Sequence, residues 1–391
     1  MNATGARRRS WRLLAAVGLF LVLDTACGAV QATLRDRRWQ RTTADAAAVD
    51  RGYRTAHPYY HHDLVAGHES PAIWGPNRYT VRTNSLGFRD ARAREVPMRA
   101  DRPRILLLGD SFTEGIGVEY ESTMAGHLAR SLDPRGVDVL NAGVGSYSPA
   151  IYWKKIEYLL ERRGLEVDAV VVLIDISDIQ DDALWYRIDT AGRVVDAPEP
   201  PYDAAAGWRR SSMAFRLFVR AADWVYPHPP WIGCSAGRDS PRTREAYGDR
   251  CRSAWTLSPV AMRRYGRDGL SRASEHMTRL AELLRRRGIP LTVAVYPWPQ
   301  QLLWDDRDSL QVRHWREWAA REGAGFIDLF ETFFDAVDAQ GRDDVIRQYF
   351  IAGDTHWSAP GHRLVADAVE PHLTRLTATI TAAPRPWTPR P

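Results

Sequence analysis

The sequence predicts an α/β domain built on a parallel sheet of about five strands with helices on both faces. Two observations carry that prediction: short aliphatic runs recur along the chain, and segments with helical apolar spacing separate them. A third adds a direction. The runs stop at polar or glycine-bearing turns, which gathers reactive residue types at one edge of the sheet, where ligands bind in open parallel sheets.

The first strand is Arg104-Ile105-Leu106-Leu107-Leu108, whose consecutive aliphatic residues suit burial on both faces, and it stops at Gly109-Asp110-Ser111. A helix then runs through Met124, Leu128 and Leu132, spaced to form one stripe, until Pro134 and Gly136 end it. Residues 137–141 form the second strand and lead into Ala142-Gly143-Val144-Gly145-Ser146. The next helix carries Tyr152, Ile156, Leu159 and Leu160, Gly164 stops it, and Ala169–Ile174 is the third strand. The alternation breaks over 183–262, where proline clusters mark an insertion with one helix near 213–225. It resumes with a helix over Met277, Leu280, Leu283 and Leu284, a strand at 291–296, a tryptophan-rich helix near 312–320, a strand at 325–329 and a final helix after Ser358.

The amino terminus predicts a membrane address. Arg7, Arg8, Arg9 and Arg12 precede an apolar run from Leu13 to Leu23, and a weaker continuation past Asp24 reaches the length of a spanning helix. An uncleaved anchor fits best; cleavage near Ala26-Cys27-Gly28 and lipid attachment at Cys27 are the alternatives. Arginines on the inner side put the body outside the cytoplasm, facing the periplasm or the cell exterior. Segment 1–34 is thus read as the anchor, 35–100 as a stalk and lead-in, 101–376 as the domain, and 377–391 as a flexible proline-rich tail. Cys234 and Cys251 share one irregular region, so a disulfide between them suits an oxidising compartment, with two buried thiols as the plainer reading.

The formal net charge of +5 is dispersed and comes with no recognition-helix or finger pattern, which argues against nucleic acid as a partner. Fifteen tryptophans suit either sugar platforms or, more commonly, core filling. In Tyr59-Tyr60-His61-His62-Asp63, adjacent histidines on an extended chain point to opposite faces, which disfavours a metal site.

Ser111 at a strand end, followed by a helix aiming N–H groups at it, is placed to act as a nucleophile, although the same turn also reads as an ordinary capping serine. Serine needs a base, and the base needs an acid to fix its tautomer. Asp354 and His356 supply both in one loop. Being two apart they share no helix face, so they belong on a turn before Ser358, where the acid can reach the imidazole's far nitrogen.

Gly109-Asp110-Ser111-Phe112-Thr113, the glycine loop at Gly143 and Asp354-Thr355-His356 together resemble the blocks of the GDSL/SGNH hydrolase superfamily, over about residues 84–373. The lead-in Asn84-Ser85-Leu86-Gly87-Phe88-Arg89 and the Asp-x-His-Trp form of the last block are similar to bacterial envelope members, including polysaccharide O-acetylation proteins. The resemblance implies a three-layer α/β/α flavodoxin-like fold, with Ser111 as nucleophile, His356 as general base and Asp354 as its orienting acid. It also implies an oxyanion hole at Ser111, Gly143 and Ser177. One block departs: the superfamily's Gly-x-Asn-Asp reads Asp175-Ile176-Ser177-Asp178, with a hydroxyl where an amide donor is expected. Losing one oxyanion donor costs roughly 3 kcal/mol.

The implied function is an extracytoplasmic serine esterase or O-acyltransferase acting on ester groups, acetyl above all, of envelope glycans through an acyl-serine, with no metal or organic cofactor. The implied partners are an acyl-ester or polysaccharide substrate, the membrane, and envelope-modification proteins. A non-catalytic glycan-binding or scaffolding component is the competing reading, and Ser177 is its support. A flavodoxin-like redox protein fits worse, because no phosphate-cradling glycine loop accompanies the strands.

Overall fold

The computed structural model describes residues 11–31, 34, 52–198, 212–214, 217 and 252–382. The chain divides into two compact units, Met1–Asp45 with Glu199–Cys251, and Ala46–Pro198 with Arg252–Pro391. In the first, Trp11–Gln31 is an apolar helix long enough to cross a membrane, a property that anchors and signal sequences share. Asp24, which interrupts its apolar run, accepts the backbone N–H of Ala214 at 2.7 Å, so the acid is hydrogen-bonded. The expected Cys234–Cys251 bridge, most of the expected helix near 213–225, and residues 383–391 lie outside the described residues.

The second unit opens with two hairpins, β1 (Arg54–His57) with β2 (His61–Leu64) and β3 (Glu69–Trp74) with β4 (Asn77–Arg82). Then come β5 (Arg104–Leu108), β6 (Asp138–Asn141) and β7 (Ala169–Ile174), a third hairpin of β8 (Tyr186–Ile188) and β9 (Val194–Asp196), and finally β10 (Leu291–Val295) and β11 (Gly325–Asp328). The central sheet is five-stranded in the order β11-β10-β7-β5-β6. All its pairs are parallel. Every residue of β5, β6 and β7 is buried, as their aliphatic runs require. Helices Pro149–Glu157, Asp178–Leu184 and Arg267–Arg286 pack together as one group, and Met124–Leu132 with Ala359–Ala382 as another, which gives the three layers. The chain starts mid-sheet at β5, steps to β6 on one side and then to β7 on the other. The carboxyl ends of β5 and β7 therefore flank the switch point of a flavodoxin-like sheet, where a ligand crevice forms.

Several expectations change. Residues 52–100 are not a stalk: they fold into the second unit, which begins at Ala46. The reason is burial, since Tyr53, Tyr60, Leu64, Tyr79, Val81 and Phe88 are all core residues. The insertion is narrower than 183–262, because β8–β9 returns to the lead-in through Val194 N–H to Tyr59 O at 3.0 Å. The last helix runs to Ala382, past the boundary placed at 376, and Thr377 on it is buried. Helices Leu329–Gln340 and Arg342–Tyr349 were not anticipated. His61 and His62 do not point apart either: His61 has φ +82°, which turns its ring so that the two Nδ1 atoms lie 2.8 Å apart. Trp255, Trp315, Trp318 and Trp357 are fully buried, so these tryptophans fill the core.

Candidate active site

At the carboxyl end of β5 the strand turns directly into the short helix Ser111–Glu114. Gly109 permits that turn, since a Cβ there would stand 2.0 Å from Thr113 Oγ1 and 3.0 Å from the carbonyl of Leu173. Asp110 caps the helix by accepting the Phe112 N–H at 3.0 Å. Ser111 opens the helix, so its N–H is one of the first-turn donors that have no acceptor within the helix. The other end is held by Arg89, buried, whose guanidinium donates to Glu114 O at 2.8 Å and to the carbonyls of Gly115 and Val118. Arg89 is aimed by the turn before it, in which Asn84 Oδ1 accepts the N–H groups of Leu86 and Phe88 at 3.0 and 3.2 Å. The Asn84–Arg89 motif thus sets the helix that Ser111 opens.

The loop between helices Arg342–Tyr349 and Ala359–Ala382 brings His356 and Asp354 to Ser111, 245 residues away in sequence from the imidazole. His356 Nε2 lies 2.8 Å from Ser111 Oγ, and Nδ1 lies 2.6 Å from Asp354 Oδ1. A carboxylate can only accept, so Nδ1 carries the hydrogen and the Nε2 lone pair faces the serine. The His356 backbone N–H also donates to Asp354 Oδ1, at 2.9 Å. Burial alone would raise the Asp354 pKa, but the hydrogen bonds and charge of His356, joined by a donor from Trp74, outweigh it and hold the carboxyl at about 2. Phe112 stacks on the imidazole with ring centroids 4.8 Å apart, which restricts its rotation.

Next to the serine lies a second set of acids. One oxygen from each of Asp110, Asp175 and Asp178 falls within 4.8 Å of the others, and all three residues are buried. Asp110 is pushed up to about 8, by burial first and by the charge of Asp175 second. Burial and the neighbouring charge of Asp110 raise Asp178 as well. Its Oδ2 accepts from Tyr152 Oη and from the Asp175 N–H, at 2.8 and 3.0 Å, while Oδ1 has no partner among the described residues and is the oxygen suited to carry a proton. Asp175 accepts the Trp298 indole N–H at 2.6 Å and the Ser177 N–H at 2.7 Å. Asp110 Oδ2 lies 3.2 Å from Ser111 Oγ. A hydroxyl has one hydrogen, so an ionised Asp110 would compete with His356 for it. A protonated Asp110 donates to Oγ instead and leaves the serine hydrogen for the base.

Gly143 packs against helix Ser111–Glu114, where a Cβ would stand 2.6 Å from Thr113 Cβ and 2.9 Å from Glu114 N. Its N–H donates to Asn141 Oδ1 at 3.1 Å, and it would have to share or leave that acceptor to reach an oxyanion. Ser177 is buried at the start of helix Asp178–Leu184, beyond the carboxyl end of β7. Glu114, buried, fixes the glycine loop by accepting the Gly145 N–H at 2.6 Å and both terminal nitrogens of Arg54 at 3.1 Å.

A model of the GDSL-like lipase/acylhydrolase family matches residues 107–364, well over half of the chain. The chain belongs to the GDSL-like lipase/acylhydrolase family. It is an ester-hydrolysing enzyme of that type. No curated protein matches this GDSL-like hydrolase in sequence. Among solved structures it is similar to TesA, at 12% identity over 70% of this chain and 99% of that one, with a TM-score of 0.37. An acetylxylan esterase from Geobacillus stearothermophilus, solved as a catalytic mutant, is 13% identical over 72% of this chain and 96% of its own, with a TM-score of 0.39. The psychrotrophic esterase EstA from Pseudoalteromonas sp. is 10% identical over 70% and 97%, with a TM-score of 0.36.

Sequence reasoning missed Trp74, Glu114 and the acids Asp110 and Asp175 as parts of the hydrolase's site. For the acids the signal lies in the strand order. They follow β5 and β7, which are neighbours once the strand order is known, so their side chains meet at one edge.

Proposed function

We propose that this hydrolase is a membrane-anchored, extracytoplasmic serine esterase or O-acyltransferase acting on acetyl esters of envelope glycans. The observation that carries the reading is the continuous path from Ser111 Oγ to His356 Nε2 at 2.8 Å and from His356 Nδ1 to Asp354 at 2.6 Å. As Ser111 Oγ attacks the ester carbonyl, its proton passes to His356 Nε2, and Asp354 stabilises the imidazolium without taking the proton. The oxyanion is held by the Ser111 N–H, with Gly143 and Ser177 as further donors. When the intermediate collapses the C–O bond breaks, and the departing alcohol takes the proton from His356. Water or a sugar hydroxyl then gives its proton to the same nitrogen and attacks acyl-Ser111; the acyl C–Oγ bond breaks and His356 returns the proton to Oγ, which regenerates the serine. The Asp-x-His-Trp block supports the glycan substrate, and the apolar helix Trp11–Gln31 supports the membrane address.

A fluorophosphonate probe tests the nucleophile. Wild type should be labelled, and Ser111→Ala and His356→Ala should not; an unlabelled wild type, under conditions that label a reference serine esterase, overturns the reading. Incubation with an acetyl ester and an oligosaccharide acceptor separates the two outcomes, since transfer adds an acetyl mass to the glycan and hydrolysis releases acetate alone.

A further inference from the structure

We propose that Trp74, on the second amino-terminal hairpin, is a positioning residue for the catalytic acid, so that the lead-in before the family-matched region completes the active site. This builds on the reading of Ser111, His356 and Asp354 as a proton relay. Asp354 uses its two oxygens differently. Oδ1 takes both hydrogens offered by His356, while Oδ2 accepts the Trp74 indole N–H at 2.8 Å, from a residue 280 positions earlier in the sequence. The indole also meets the imidazole edge-on, with ring centroids 5.0 Å apart and planes at 82°. One side chain therefore restrains both acid and base.

The hairpin is built to hold that indole in place. Trp74 pairs with Asn77 across a two-residue turn, Gly75-Pro76, in which Gly75 has φ +54°. Asn77 Nδ2 donates to Gly117 O at 3.0 Å, which ties the hairpin tip to the loop following the nucleophile's helix. Gly117 itself has φ +88°, and a Cβ there would stand 2.6 Å from Ile351 Cδ1 and 3.4 Å from Trp74 Cδ1. The tip is thus set between the loop that follows the serine and the loop that carries the acid.

A donor on Oδ2 draws negative charge away from the side of Asp354 that faces His356. Removing it frees acid and base from the indole's restraint, which lowers kcat, and leaves Asp354 held only by the two Oδ1 bonds of its own turn, with more charge facing the imidazolium. The ionisable groups that interact with His356 include Asp354, Asp110 at the end of β5 and His362 in the last helix, and substituting Trp74 alters none of them.

The test uses the full chain and three readouts: melting temperature, kcat with KM, and the pH dependence of kcat/KM. Trp74→Phe keeps an aromatic ring and removes the donor. It should lower kcat about tenfold with KM unchanged, and move the acid limb of kcat/KM to higher pH. Trp74→His places an imidazole N–H where the indole N–H was, and should restore most of kcat at about pH 8, where the new ring is neutral. An acid limb for Trp74→Phe that coincides with wild type or lies below it overturns the assignment, as does equal loss in both variants at unchanged melting temperature. If wild type itself is not labelled by the fluorophosphonate, the relay reading fails. If wild type is labelled and the limb does not rise, only the role of Trp74 fails.

Discussion

Asp354 and Asp110 are the same residue type, one linked to Ser111 through His356 and the other hydrogen-bonded to it directly, and their surroundings shift their pKa values in opposite directions. Asp354 collects donors from His356 and Trp74 and is held at about 2, ionised and fit to orient a base. Asp110 is buried beside Asp175 and Asp178, with no cation among its hydrogen-bond partners within the described residues, and is pushed up to about 8, protonated and fit to donate. Proximity to Ser111 does not decide which acid is ionised. The balance of donors against neighbouring carboxylates does.

The sharpest way to break this comparison is to neutralise each acid in turn. Asp354→Asn presents an amide to His356 and favours the wrong tautomer, so kcat should fall by roughly 10³- to 10⁴-fold, measured by steady-state turnover of an acetyl ester. Glu114→Gln tests the support of the glycine loop. It removes the charge that pairs with Arg54 and offers an amide in place of one acceptor, and should cost about 1–3 kcal/mol of stability in denaturant unfolding.

The two acids should also tilt stability in opposite directions with pH. Asp110 has a folded pKa raised from 3.8 to about 8, so the folded protein keeps a proton that the unfolded chain releases, and stability falls as pH climbs between those values. Asp354 has a depressed folded pKa, so its contribution is present above 3.8 and is lost as pH falls through about 2. The melting temperature of Asp110→Asn should accordingly gain on wild type at about pH 9 relative to about pH 5. Smallest of all is the effect of Asp110→Asn on turnover. Asparagine still caps the helix and still donates to Ser111 Oγ, so kcat near neutral pH should change less than about tenfold. A loss as large as that of Asp354→Asn would show that the two acids are equivalent.

The central strands were legible because burial on both faces demands uninterrupted aliphatic residues, and Ala169–Ile174 could be read to the residue. The meeting of Ser111, His356 and Asp354 was legible because a serine at a strand end and a histidine two residues after an acid each constrain the chemistry. The lead-in was not. Pro71 masks β3 in the sequence although the strand runs through it and pairs with Thr80, and His61 takes a backbone conformation that hides the partnership of two adjacent rings. Nothing near Trp74 in sequence shows that its partner is Asp354, since the contact exists only after the last loop has closed on the sheet. Asp110, Asp175 and Asp178 each look like a turn acid in isolation, and only the adjacency of β5 and β7 turns them into a cluster.

The central claim is that Ser111 carries the acyl group. Acid-quenching the enzyme during turnover of an activated acetyl ester, followed by tryptic mass mapping, tests it directly. The account predicts one acetyl group on the peptide spanning residues 105–130, located at Ser111 and absent from Ser111→Ala. Undiminished turnover in Ser111→Ala, or an acetyl group trapped on another residue during turnover, would contradict it.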